Sequence, residues 1–458
     1  MSLQSSPSKR IKAGSNFLQI LLIVGLIVLG VAGFLLVKLY ERERPQVTLL
    51  TDITRIGISR EVSIVVTDAK SGISEMEITM KQGANKTKLY GKKFPKHSLF
   101  FNAGPHRIEE VVMIAPRELG FDDGRAEIII EVKDHSWSGW MEGNTASVSY
   151  STMIDTQPPA VSVIYSSRYI KPGGSGVVVY KVNEAVIGHG VTINDIFYPG
   201  FQLENRVEGM FVSYIGIPFN TEKIETAMVS AADNAGNEGK SVFGVILRKV
   251  VYEKDRINLS DAFFKQKLPE FSQYYPEMSG TDVEQYLYVN NTVRQDNAGK
   301  ITEICRKSVA EKHWKGTFKR LPRSSRRAGF AEFRSYYYQD ENIDQQYHLG
   351  IDLASVRHAT VTAANDGLVV FADYMGIYGN TVILDHGQGI FSLYSHLSQV
   401  SAQVGDSYEK GATLGLTGTT GMAGGDHLHF AMLINGVFVN PIEWWDASWL
   451  NLNIESHL

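Results

Sequence analysis

From Phe17 to Val37 the chain carries no charged residue, and Gln19 is the only strongly polar side chain in the run. As a helix rising about 1.5 Å per residue, such a stretch spans the roughly 30 Å of hydrocarbon in a bilayer. A cleaved export signal has a shorter apolar core, roughly 7 to 15 residues, followed by a small-x-small cleavage site. Here the run is longer and Leu39-Tyr40-Glu41-Arg42 follows it, so residues 1–44 are expected to form a short arm and a retained transmembrane anchor. Lys9, Arg10 and Lys12 on one side are balanced by Lys38, Arg42 and Arg44 on the other, so the basic bias that sets orientation is a tie. A short basic arm inside and a large domain outside is the expected arrangement.

After Pro45 the sequence becomes short alternating strands broken by Gly, Asn, Asp and Pro, the pattern of β-sandwich modules. The pattern repeats. Pro45-Gln46-Val47-Thr48 is echoed by Pro159-Ala160-Val161-Ser162, and Val62-Ser63-Ile64-Val65-Val66 by Gly176-Val177-Val178-Val179-Tyr180. Ile128 to Asp134 matches Ala227 to Asp233, and Ala232-Asp233-Asn234-Ala235-Gly236-Asn237 resembles the last hairpin turn of bacterial immunoglobulin-like extracellular domains. Two modules are expected, over 45–155 and 156–250. Asp155-Thr156-Gln157-Pro158-Pro159 joins them as a stiff linker, because successive prolines fix φ and disfavour helix before them. With no metal or nucleophile spacing in either module, the pair is expected to act as a stalk.

Over residues 251–312 the period turns helical. Ser260 before Asp261-Ala262-Phe263-Phe264 is an N-cap candidate, and Thr281-Asp282-Val283-Glu284 fits a capping box ahead of Tyr286, Leu287 and Val289. Two or three helices are expected as a structural connector. The basic run Lys319, Arg320, Arg323, Arg326 and Arg327 reads as a solvated linker, since no helix start or aromatic platform accompanies it. From Tyr336 on, strands and turns dominate: Leu368 to Phe371, Thr381 to Leu384, Ile390 to Tyr394 and His429 to Leu433 are the clearest strands, and Ile434-Asn435-Gly436-Val437 is a hairpin signal. Asn440-Pro441-Ile442-Glu443-Trp444-Trp445 is expected to dock aromatic bulk on the edge of this domain, 313–445, ahead of a tail over 446–458. The fold class is therefore mainly β: an N-terminal transmembrane helix, two β-sandwich modules, a short helical connector and a C-terminal antiparallel β-rich domain.

The net charge of −4 has both signs well mixed over 458 residues, which gives no basic field for nucleic acid. Cys305 is the only cysteine; it rules out an intrachain disulfide framework and a cysteine-rich metal site while leaving the compartment open. It lies in a helical-looking segment and reads as a small, half-buried residue.

The chemistry concentrates in His348-Leu-Gly-Ile-Asp352 and His427-Leu-His429, with Tyr394-Ser-His396 between them. In β-type sequence alternate side chains share a face, so His348 and Asp352 are expected to project to one side of their segment, as are His427 and His429. A catalytic zinc is held by three N or O ligands with a fourth position open, and one carboxylate with two imidazoles meets that need. The Gly-rich stretch Gly418 to Gly425 lacks the Lys-Ser/Thr ending and following helix of a phosphate loop, so it reads as a tight loop delivering His427. His358 and His386 sit in turn-like sequence and are expected to be surface or turn-stabilising residues.

Together with Gly350-Ile351-Asp352-Leu353, Tyr378-Gly379-Asn380, Leu393-Tyr394-Ser395-His396-Leu397 and His427-Leu428-His429-Phe430, these motifs resemble the lysostaphin-type zinc endopeptidases, peptidase family M23. The similarity runs from about His313 to Trp445. It implies Zn2+ held by His348, Asp352 and His429, with His396 and His427 flanking the water and the developing oxyanion; which of the two is the principal base stays open. It implies peptidoglycan peptides as substrate and a place in the bacterial inner membrane, single-pass, with the catalytic domain on the outer side. The rival is a non-catalytic wall-binding regulator of another hydrolase; relatives of that type generally lack part of the zinc set, which is complete here. Neither spacing nor resemblance gives the substrate-binding residues or a protein partner.

Overall fold

A computed structural model of the protein describes residues 14–97, 103–203 and 207–458. Lys9, Arg10 and Lys12 of the N-terminal arm lie outside the described residues. The apolar run forms one helix, Gly14–Leu39, in which Phe17–Leu35 is long and apolar enough to cross a membrane and is nowhere buried inside the protein.

The chain divides into two compact units, Met1–Pro158 with Asn234–Asn237, and Pro159–Asp233 with Glu238–Leu458. In the first, the strands Gln46–Leu49, Arg60–Thr67 and Arg107–Ile114 form one sheet. Arg55–Ile56, Thr145–Ile154, Gly124–Asp134, Ile73–Gln82 and Asn85–Lys93 form the other. Period-2 patterning places their apolar sides in one core: Val62, Ile64 and Val66 from one sheet meet Ile128, Ile130 and Val132 from the other, all at most 1% exposed.

The second unit begins with another pair of sheets. Phe201–Gln202, Met210–Gly216, Ser175–Val182 and Val161–Ser166 make one, and Ile196–Pro199, Gly188–Ile193, Ala227–Ala232 and Glu238–Val242 the other. Here the strand Ser175–Val182 departs from alternation: Val177, Val178, Val179 and Tyr180 are all buried. A strand is buried on both faces when something covers the far side, and the C-terminal residues do so. Trp444 donates from Nε1 to Ser175 Oγ at 3.0 Å, and Tyr214 meets Trp314 edge-on at 6.1 Å between ring centroids. A Cβ on Gly216 would lie 2.8 Å from Val439 Cγ1, so glycine leaves this backbone room to take the Val439 side chain against it. One continuous apolar core thus runs through the second sandwich and the C-terminal domain. The second module is no free stalk, and Trp444, fully buried between Trp314 and Phe318, belongs to that core rather than to a domain edge. Trp444→Ala is expected to cost about 3–5 kcal/mol of stability, the range for emptying a large aromatic site; denaturant unfolding of the full chain in detergent measures it.

The connector folds as expected. Ser260 caps the helix Asp261–Ser272, Thr281 and Glu284 form a capping box on Asp282–Tyr288, and a π-turn over Val289–Val293 leads into Arg294–Ile304. Cys305 ends the last helix and is wholly buried rather than half-buried. Ser325–Ala328, within the basic run, is an edge strand and not a linker; it pairs with Ile351–Ala354 and leaves Arg326 and Arg327 exposed. From it the main antiparallel sheet continues through Ile351–Ala354, Leu428–Ile434, Ile390–Ser395, Asn380–Asp385, Gly367–Tyr374 and Ser407–Tyr408. Asn435 and Gly436, at φ of 49° and 84°, turn Leu428–Ile434 into Val437–Val439, the double positive φ that a two-residue hairpin requires.

Candidate metal centre

Register builds the site. His429 stands on the strand Leu428–Ile434, with Asp352 as its partner on one neighbouring strand and Ser395 on the other. His396 follows Ser395 with φ at +62°, a region costly for a residue with a Cβ. Two hydrogen bonds hold it there, from its N–H to Tyr378 O at 2.9 Å and from Nδ1 to Thr420 O at 2.8 Å. His348 closes a strand of a different sheet, Glu341–His348, and Leu349-Gly350 carries the chain across to Asp352. The two residues therefore converge from separate strands rather than from one face of one segment. Gly350 makes the crossing possible, since a Cβ there would lie 2.4 Å from His429 Nε2.

The atoms meet closely. His348 Nε2 lies 2.9 Å from Asp352 Oδ1 and 2.8 Å from His429 Nδ1, and His429 Nδ1 lies 3.0 Å from Asp352 Oδ1. His348 Nδ1 faces Gly329 O at 2.9 Å; a carbonyl only accepts, so Nδ1 carries a hydrogen and Nε2 is the nitrogen turned to the cluster. Burial holds His429 down to about 4 and hence neutral. Burial alone would push the Asp352 carboxyl up, but the histidines, His348 foremost, outweigh it and hold it well below the ordinary carboxylate range. Two imidazole nitrogens and a carboxylate oxygen, all within 4.8 Å of one another and nearly inaccessible, need a cation to face. The nitrogen and oxygen donor set fits a three-ligand zinc site.

His427 completes the group. Its Nε2 is 3.4 Å from Asp352 Oδ1, its Nδ1 bonds Gly425 O at 2.7 Å, and its ring centroid is 4.8 Å from that of His396. The Gly-rich loop thus delivers His427 and also supplies Thr420 O to His396. It is braced from the helical connector: Lys267 Nζ donates to Thr419 O, and Gly421 N donates to Glu270 Oε1 at 2.5 Å. The connector also lines a cleft of about 460 Å³ over the histidines, through Leu259, Phe263 and Tyr286, together with Tyr336, Met422 and Arg327.

One residue of this site has no signature in the sequence. Arg334, on the strand Glu332–Tyr338, reaches Asp352 Oδ2 from Nη2 at 2.9 Å and Glu332 Oε1 from Nε at 3.0 Å. It fixes the carboxylate so that Oδ1 faces the histidines, the supporting role that outer hydrogen bonds play at metal sites. Two other histidines of the domain, His358 and His386, stand apart. His358 sits on an exposed turn at φ +53°, with Nδ1 3.0 Å from Ser398 Oγ. His386 is not a surface residue: it is wholly buried, bonded to Asp366 O at 2.6 Å and Ser392 Oγ at 2.7 Å, and burial holds it neutral with a pKa of about 4.

Residues 346–441, which hold His348, Asp352, His396, His427 and His429, match the profile of Peptidase family M23. The DD-carboxypeptidase/endopeptidase Mpg of Neisseria meningitidis is 41% identical over 95 residues, 21% of this chain and 22% of that protein. The peptidoglycan DD-endopeptidase ShyC of Vibrio cholerae is 34% identical over 94 residues, 20% of this chain and 22% of that protein. The murein hydrolase activator EnvC of Escherichia coli is 33% identical over 95 residues, 21% of this chain and 23% of that protein. The chain thus matches less than a quarter of the length of each of these relatives.

Proposed function

Given that the C-terminal domain is a peptidase M23 domain, we propose that the protein is a zinc endopeptidase that hydrolyses peptide bonds in bacterial peptidoglycan. In this reading residues 1–44 anchor it in the cytoplasmic membrane, 45–155 and 156–250 are immunoglobulin-like modules, 251–312 connect, 313–445 carry the chemistry on the outer side and 446–458 form the tail. The observation that carries the reading is the convergence of His348, Asp352 and His429 with His396 and His427 under one cleft. The activator EnvC, at 33% identity, is about as similar as the endopeptidase ShyC at 34% and less similar than Mpg at 41%, and a regulator has no need of a complete ligand set with two further imidazoles beside it.

His348, Asp352 and His429 hold the metal, with Arg334 fixing the carboxylate. Zinc, when bound, supplies Lewis acidity towards water and towards the scissile carbonyl. His396 and His427 each spend Nδ1 on a backbone carbonyl, which keeps a hydrogen on Nδ1 and leaves Nε2 as the nitrogen that gains or gives up a proton. One of the two accepts the proton as water attacks the carbonyl carbon; the C–N bond then breaks and the amine leaves with that proton. The other donates from its protonated form to the developing oxyanion. Walls of Leu259, Phe263 and Met422 limit water around these steps.

The test is muropeptide analysis of purified sacculi incubated with the zinc-loaded full chain in detergent. Loss of cross-linked peptides, absent with His348→Ala, is expected; the DD names of the relatives point to a bond between two D-configured residues. An unchanged profile, together with stimulation of an added second hydrolase, would establish the activator instead.

A further inference from the structure

Three carboxylates meet within the first unit, remote in sequence from the histidines. Glu41 follows the apolar helix, Asp68 follows the strand Arg60–Thr67, and Asp134 closes the strand Gly124–Asp134. One oxygen from each lies within 4.8 Å of the others, and the three residues are 1%, 6% and 2% exposed. Three negative charges in so small a buried space repel strongly and lose their hydration.

Hydrogen bonds account for only part of this cluster. Glu41 Oε2 accepts from Ser71 N at 3.0 Å, and Asp68 Oδ2 accepts from Gly72 N at 2.6 Å and Lys70 N at 3.3 Å. Asp134 Oδ1 accepts from Asn144 N at 2.7 Å and Ser136 N at 3.0 Å, and its Oδ2 from Asn144 Nδ2 at 2.9 Å. Glu41 Oε1 and Asp68 Oδ1 are left buried with no hydrogen-bond partner among the described residues. Burial, with the charges of Asp68 and Asp134 adding to it, pushes the Glu41 carboxyl up. The carboxylates are thus oriented by surrounding amides while two oxygens point at nothing that neutralises them. An unpaired buried charge is costly, and a cation removes that cost.

Donor chemistry narrows the cation. All ligand atoms are carboxylate oxygens, which suit Ca2+, Mg2+ or Mn2+ rather than metals that favour imidazole or thiolate. Three carboxylates from separate chain segments, with no imposed octahedron, suit the larger and more tolerant ion. We propose that Glu41, Asp68 and Asp134 form a calcium site that ties the segment leaving the apolar helix to the loops of the first sandwich. The placement recurs: Glu184 lies just beyond the strand Ser175–Val182 as Asp68 does beyond Arg60–Thr67, and Asp233 follows Ala227–Ala232 where Asp134 ends its strand. The acidic residues therefore belong to the plan of the module and not to a chance surface cluster.

Calorimetric titration of the calcium-stripped, zinc-loaded full chain in detergent with CaCl2 tests the site. Binding is expected at or below the roughly 10⁻⁴ to 10⁻³ M typical of extracellular calcium modules. Asp68→Asn and Glu41→Gln should each bind about one calcium fewer per chain than the parent, with zinc content unchanged. Glu41→Gln keeps its shape and the Ser71 hydrogen bond, so it serves where the aspartate variant does not fold. Equal calcium stoichiometry in parent and Glu41→Gln, or no calcium bound by the parent at about 10 mM, well above that range, would overturn the proposal.

Discussion

His348→Ala and Asp352→Ala should each strip zinc from the protein and abolish hydrolysis of sacculi. A three-ligand site has no spare donor, and the ligand pair that remains has neither the charge nor the geometry to retain the ion. The two variants differ in their side effects. His348→Ala removes a ring that outside the cluster bonds Gly329 O, so the sheet should stay intact. Asp352→Ala also strips Arg334, 17% exposed at its side chain, of one of its two carboxylate partners among the described residues and leaves it Glu332, so some stability should go with the metal; Asp352→Asn limits that loss. Zinc per chain, measured by mass spectrometry after gel filtration, decides the matter. Stoichiometric zinc in both alanine variants would mean that other residues are the ligands.

His396→Ala and His427→Ala should behave oppositely, keeping zinc and losing about 10² to 10⁴ of the hydrolysis rate, the usual worth of a positioned proton-transfer group. Neither ring is needed to complete the ligand triad, yet both stand beside it, His427 Nε2 at 3.4 Å from Asp352 Oδ1 and His396 a ring's breadth from His427. The variant with the larger rate loss identifies the principal base. Loss of metal in either would exchange that residue's role with a ligand's.

Much of this site was legible because its chemistry is local in sequence. His-x-His on a strand, the Asn435-Gly436 turn and the Thr281-Glu284 capping box each report on their own few residues, and each folded as its spacing predicts. What escaped depends on contacts between distant segments. Arg334 looks like any strand arginine until the sheet sets it beside Asp352, eighteen residues on. His386 read as a surface or turn-stabilising residue because turn-like sequence gives no hint that Phe318 and Ser392 close over it. One missed signal was present in plain view: Gly176-Val177-Val178-Val179-Tyr180 holds no polar break, where the matching Val62 to Val66 has Ser63. A run of that kind marks a strand covered on both faces, and hence a neighbour that the notion of a stalk leaves out.

The continuous core beneath the histidine cleft has a mechanical side. Since Trp444, Trp314 and Gly216 lock the second sandwich to the sheet that bears His429, there is no hinge between them to absorb a tug. A load applied to that sandwich therefore reaches the cleft as rotation of the whole block, so a grip on the sandwich from outside also sets the heading of the cleft.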